Sequence, residues 1–417
     1  MKTQKLEIGN TSANFGENST QNMIPDLNNW AEVANYIRRD STARFWDFSA
    51  HGLEYQKRDF DFGTEDFKIS VIDLFAGRVP AVISRETLLG NYPPVLAPTV
   101  ILDSNVMAYL HQFVTARETQ DEKQRKTVIQ LLDYLLHTKF DYNPSFYYLE
   151  SFSKSAESSQ KIIEYTKSIL SLHMMDELYF LQKREMRVNE VTLGKYAEKF
   201  GTNDVDEMAK RQCEILQKIH VPGTDWKVLY LIILKAALIH RTFRGDFEAK
   251  LRKLYEFVYE IFGVLFSREL GVASFYFSGE LDKFIPLQKN ANAENTIKRM
   301  KSTAWDMYLL RLPELMLCHE DAPIPLAMIC TGDKGIQTVG RRFRVRRLFT
   351  TQGMPFPELE IRFDGNRNDE LRAELFEEFS RNRKDKRRDL DVDQVLSGLE
   401  THIERLENEI VEFCDLK

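Results

Sequence analysis

Two short apolar runs, each stopped by an aspartate, constrain this chain more than any other feature. Thr99-Val100-Ile101-Leu102 follows Pro98 and ends at Asp103, and Pro325-Leu326-Ala327-Met328-Ile329-Cys330 stops at Thr331-Gly332-Asp333. Short apolar runs bounded by proline or glycine predict buried strands. Residues at the carboxyl ends of parallel strands face the crevice where open α/β sheets bind ligands. Asp103 and Asp333 are therefore candidates for one shared site, although most of the chain lies between them.

The sequence between the two runs reads almost entirely as helix. Ser104-Asn105 caps a helix through Met107, Leu110 and Val114, and a second helix is predicted from Thr127 to Leu136. Asn143-Pro144 is a start signal for a third, which carries Phe146, Leu149 and Glu150. Lys161 to Leu181 and Trp226 to Ile239 are the clearest helices of a stretch that predicts an all-helical insertion over residues 156–290. A further helix from Ala293 to Leu312 is ended by Pro313. On it Ile297, Met300, Ala304 and Tyr308 form an apolar stripe, and Arg299, Ser302, Thr303 and Asp306 fall on the other side. Beyond Asp333, Arg342-Phe343-Arg344-Val345-Arg346 alternates, which predicts a half-buried strand with its arginines on the wet face.

The flanks differ in composition. Residues 1–22 are rich in Asn, Ser, Thr and Gly and read as a flexible tail. Residues 23–95, where Trp46, Phe48, Phe62, Leu74 and Phe75 bring back apolar bulk, are expected to form a small module of unknown type. Residues 366–417 read as a charged linker, Arg381 to Arg388 within it, followed by a heptad helix. Val392, Leu396, Leu399, Ile403, Leu406, Ile410 and Phe413 are its a/d seam. So short a seam needs a partner helix, either in the same chain or in a second protein chain.

Of the 417 residues, 57 are Lys or Arg and 63 are Asp or Glu, a net charge of −6. That excludes a protein coating nucleic acid through bulk positive charge, so a nucleic-acid partner needs a local basic patch. Cys213, Cys318, Cys330 and Cys414 form no CxxC pair, as expected of a reduced, cytoplasmic chain without a zinc knuckle or disulfide framework. Met1-Lys2-Thr3-Gln4-Lys5 is not followed by an apolar secretory segment, and Val228–Ile239, broken by Lys235, is too short to span a bilayer. A soluble protein is expected.

Singly, the acids have plain readings: Asp103 as a helix cap, Glu150 and Asp306 as solvated helix residues, Asp333 as a turn residue. Gathered at one point they would repel and raise one another's pKa values. A divalent cation removes that penalty, and hard oxygen ligands favour Mg²⁺ or Mn²⁺.

In this order the four acids resemble a known family. Val100-Ile101-Leu102-Asp103-Ser104-Asn105-Val106 looks like the opening strand of PIN-domain nucleases, an apolar strand ending in Asp-x-Asn. Ile329-Cys330-Thr331-Gly332-Asp333 is similar to their late Thr-x-Asp motif. Between them that family places a helical Glu and a helical Asp, matched here by Glu150 and by Asp306 in Trp305-Asp306-Met307-Tyr308. The stretch between Glu150 and Asp306 is far longer than a compact PIN domain has. The resemblance implies a PIN-like α/β fold, a three-layer core with a central parallel sheet, built from residues 96–155 and 291–365 and interrupted by the insertion. It implies a Mg²⁺- or Mn²⁺-dependent endonuclease acting mostly on RNA, with Asp103, Glu150, Asp306 and Asp333 as metal ligands. Asn105 and Thr331 would orient water or a ligand carboxylate. Lys334, Arg342, Arg344 and Arg346 are the expected contacts to nucleic acid. By analogy with the use of such enzymes, a stress, toxin-like or anti-phage effector is the expected setting. The alternatives are a structure-specific DNA endonuclease and a scaffold derived from the family that binds nucleic acid without cutting it.

Overall fold

A computed structural model describes residues 25 to 415 apart from 26, 50–58, 76, 116–120, 155–158, 220–222, 264–265, 363–367 and 383–391. The expected N-terminal tail and most of the charged linker lie outside the described residues. The chain begins with α1 (Trp30–Arg39), β1 (Arg44–Asp47), β2 (Asp59–Gly63), β3 (Lys68–Ile72), β4 (Ala81–Ser84), α2 (Arg85–Leu88) and β5 (Leu96–Leu102). Next come α3 (Ser104–Thr115), α4 (Glu122–Thr138), β6 (Asp141–Asn143), α5 (Ser145–Ser153), α6 (Ser159–His173), α7 (Glu177–Lys183), α8 (Glu190–Phe200) and α9 (Val205–Ile219). Three long helical segments follow, α10 (Asp225–Thr242), α11 (Phe247–Phe262) and α12 (Ser267–Phe277), then α13 (Ala293–Leu309) and α14 (Leu312–Met316). The last elements are β7 (Ile324–Thr331), α15 (Lys334–Arg342), β8 (Phe343–Thr351), β9 (Met354–Ile361), α16 (Asp369–Asn382) and α17 (Val392–Asp415).

The protein is mixed α/β. One sheet has five strands in the order β2-β3-β7-β5-β6, and the other has four in the order β4-β1-β8-β9. Among the described residues only β7, β5 and β6 run parallel; β3 and β2 are added antiparallel, and the described pairings of the four-stranded sheet are antiparallel. The five-stranded sheet is thus mixed rather than wholly parallel. The segment 23–95, expected to be a module of its own, supplies β2 and β3 to one sheet and β1 and β4 to the other.

Alternation along the central strands explains the apolar runs. Val100 and Leu102 of β5, and Met328 and Cys330 of β7, face a cluster with Val106, Leu110, Leu131 and Leu135 of α3 and α4. Ile101, Ala327 and Ile329 face the opposite cluster, with residues of α10, α12 and α13. A strand buried on both faces must be apolar at every position. Most helices of residues 156–290 contribute to these same clusters, while α8 packs with parts of α6 and α9 in a smaller cluster of its own.

Local signals set the helix ends. Asn292 accepts from Asn295 N (2.8 Å) at the start of α13, and Asp121 accepts from Lys123 N (2.7 Å) at the start of α4, which begins earlier than Thr127. The helix expected from Lys161 to Leu181 is two, because Asp176 caps α7 through Tyr179 N (3.1 Å). Pro313 does not end a helix; it sits in the first turn of α14. The heptad seam docks within the chain: Leu399, Ile403, Leu406, Ile410 and Phe413 of α17 are buried in the cluster that holds α10 and α13. The side chains of Val392 and Leu396 lie outside the described residues. Among the described residues no helix is long and apolar enough to cross a membrane.

Candidate functional site

Asp103 and Asp333 end neighbouring strands. Ile101 and Leu102 of β5 pair in parallel with Ile329 and Cys330 of β7, and Asp103 N donates to Cys330 O (2.9 Å). Thr331 lies between the two acids. Its hydroxyl donates to Asp103 Oδ2 (2.7 Å) and accepts from Asp333 N (3.0 Å). Asn105 Nδ2 reaches the same Asp103 oxygen at 3.4 Å. Asp333 also caps α15, with Oδ1 accepting from Ile336 N (3.0 Å), so its plain role as a local turn and cap residue is real; Oδ2 accepts no hydrogen bond from the described residues. Gly332 is required here: a Cβ at that position would lie 2.9 Å from the Tyr109 ring.

Glu150 comes from α5, whose N-cap position is Pro144 and not Asn143; Asn143 Oδ1 accepts from Ser145 N (2.8 Å) just ahead of the helix. Glu150 is buried, 8% exposed, and the Ser104 hydroxyl donates to its Oε2. Its Oε1 takes the Lys154 ammonium at 2.5 Å. Asp306, from α13, is partly buried, and its carboxylate accepts no hydrogen bond from any described residue.

Electrostatics link the four. Burial first, then Glu150 and Asp333, push Asp103 up to about 6 against the opposing hydrogen bond from Thr331. Burial, then Asp103, Asp333 and Glu150 in turn, push Asp306 well above the usual carboxylate range, and Lys154 is the cation that opposes them. Burial and then the fields of Asp103 and Asp333 also raise the Tyr109 phenol. The acids from β5, α5, α13 and the turn after β7 therefore share one electrostatic environment. Among the described residues, however, no three His, Cys, Asp or Glu side chains are gathered into a group that could hold a metal ion. The donor chemistry, carboxylates only, suits a hard divalent cation. Two of the acids are instead tied to Ser104, Thr331 and Lys154.

The arginines do not form the expected wet face. Arg344 is 2% exposed and buried on β8, with Nη2 2.8 Å from Asp59 and Nη1 donating to Gly340 O (2.7 Å). It is a structural ion pair and not a phosphate contact. The cause is the packing of β8, which buries residues on both faces, and an irregularity between Val345 and Arg347 that leaves Arg346 outside the register. Arg342 ends α15 and ion-pairs with Glu280 at 2.6 Å. Arg346 is exposed, with Glu358 at 3.7 Å, and Lys334 is exposed directly after Asp333.

Three residues at the site were not singled out as site residues by sequence reasoning: Ser104, Tyr109 and Lys154. Only Lys154 left a readable signal, its i, i+4 spacing from Glu150 on one helix face. The chain matches no family model, no curated protein and no solved structure.

Proposed function

We propose that this protein is a divalent-metal-dependent endonuclease that hydrolyses phosphodiester bonds in RNA, with a site that resembles that of PIN-domain nucleases. The observation that supports the reading is that Asp103 and Asp306 are raised by burial and by the fields of Glu150 and Asp333, while no described residue donates a hydrogen bond to Asp306. A like-charge group of this kind is stable only with protons or cations bound, and perturbed carboxylates cluster at functional sites. Asp103 and Asp306, with Glu150 and Asp333, would hold Mg²⁺ or Mn²⁺. Bound there, the ion would supply an activated water and charge neutralisation at the phosphate.

The chain's own residues have distinct tasks. Thr331 fixes the rotamer of Asp103 through its hydroxyl, and Ser104 does the same for Glu150. Asn105 steadies Asp103 from the exposed side. Lys334, beside Asp333 and open to solvent, is placed to meet a phosphate next to the site, and Arg346 extends the basic surface. RNA is preferred to DNA on the family resemblance.

A second reading, a nucleic-acid-binding scaffold without catalysis, draws on the lack of a gathered ligand group among the described residues. Labelled RNA and DNA oligonucleotides incubated with Mn²⁺, with and without EDTA, separate these readings. Cleavage of RNA that EDTA abolishes and Asp103→Asn removes is expected. Cleavage of branched DNA alone would replace the substrate, and binding without cleavage would select the scaffold.

A further inference from the structure

We propose that Lys154 is a resident counter-ion of the carboxylate site, competing with the divalent cation for Glu150. The inference rests on the metal-site reading above and specifies how that site is regulated. Glu150 lies in the last turns of α5 and Lys154 follows one helical turn later, so the pair faces the same way. Both Glu150 oxygens are occupied, Oε1 by the Lys154 ammonium at 2.5 Å and Oε2 by the Ser104 hydroxyl. The field of Lys154 also reaches Asp306, where it opposes Asp103, Asp333 and Glu150.

The two partners are not equally held. The Lys154 side chain is 52% exposed and that of Glu150 is 11%. The ammonium sits on a flexible stem and can leave to water by a change of rotamer, whereas the glutamate stays. Ser104 is a neutral donor and can hold Oε2 while Oε1 turns to a metal ion. An ammonium on Oε1 opposes an ion at the same oxygen, since the two cations repel at close range. The positive charge therefore moderates the repulsion among the acids until a divalent cation replaces it.

Mn²⁺ titration of the full-length protein, read by calorimetry and by the spin resonance of free Mn²⁺, tests this without reference to cleavage. Lys154→Met is expected to bind Mn²⁺ about tenfold more tightly than wild type, the scale on which one neighbouring charge acts. Lys154→Arg restores the charge and is expected to return the affinity toward wild type. Lys126→Met, which removes an exposed lysine paired with Glu122 on α4, controls for net charge and is expected to change nothing. Wild type and Lys154→Met binding Mn²⁺ equally well, or the variant binding more weakly, would overturn the counter-ion role while leaving the metal site standing. No Mn²⁺ binding by any of the proteins would overturn both.

Discussion

Two groups of buried charge in this protein are built on opposite rules. Between α12 and α14, charges are buried as complementary pairs. Arg268 donates to Glu314 and to Leu310 O (2.9 Å), with both side chains nearly inaccessible. Arg311 grips Glu269 with two hydrogen bonds of 2.8 and 2.7 Å. Burial alone would raise Glu269, but the Arg311 guanidinium holds it below the usual glutamate range. Around the ends of β5 and β7 the carboxylates share one sign, and two of them, Asp103 and Asp306 of α13, are pushed up instead. Paired burial fixes a packing arrangement. Same-sign burial weakens the fold at neutral pH and persists where something else supplies the balance.

The comparison breaks most visibly at a buried pair. Arg268→Met strands Glu314 and is expected to cost about 3–5 kcal/mol in chemical denaturation. A loss under 1 kcal/mol would show that the paired region is no different from the acid site. Next in size is the pH response at Asp103. Its folded value is raised above the unfolded one, so its contribution is full below pH about 4 and is lost as pH rises through about 6. Metal-free wild type should therefore lose on the order of 2–3 kcal/mol relative to Asp103→Asn between pH about 4 and 7. Parallel stability curves would remove the like-charge account. The arginines separate by the kind of effect, and the smallest change falls at Arg346. Arg346→Ala should change stability by less than about 0.5 kcal/mol while lowering the salt dependence of RNA binding by about one unit of slope. Arg344→Met should do the reverse, losing about 3 kcal/mol with its salt slope intact.

The strands that carry the site were readable because burial on two faces leaves an unbroken apolar run, and Asp103 and Asp333 each end one. The start of α13 was readable from its cap, Asn292; the Asn143-Pro144 pair marked the start of α5, but Pro144 takes the cap position and Asn143 holds only Ser145 N. The mixed character of the sheet was not, because β2 and β3 are short and come from a segment with no signal for its partner. The heptad of α17 reported an apolar seam but not whose helix covers it, since an a/d stripe reads the same whichever helix packs on it. Alternation at Arg342 to Arg346 misled for a physical reason: β8 is covered on both sides, and an irregular register breaks the period of two. A buried arginine paired with a distant aspartate, Asp59, leaves no local trace in sequence.

The central proposal, that Asp306 belongs to a group of like charges that takes up a divalent cation, is tested most directly by thermal denaturation of wild type and Asp306→Asn with and without saturating Mn²⁺. Without the ion the variant should melt higher, because the uncharged amide relieves repulsion by three neighbouring acids. With Mn²⁺ the order should reverse, as wild type gains binding energy that the variant lacks. The same order of melting temperatures in both conditions would contradict the account.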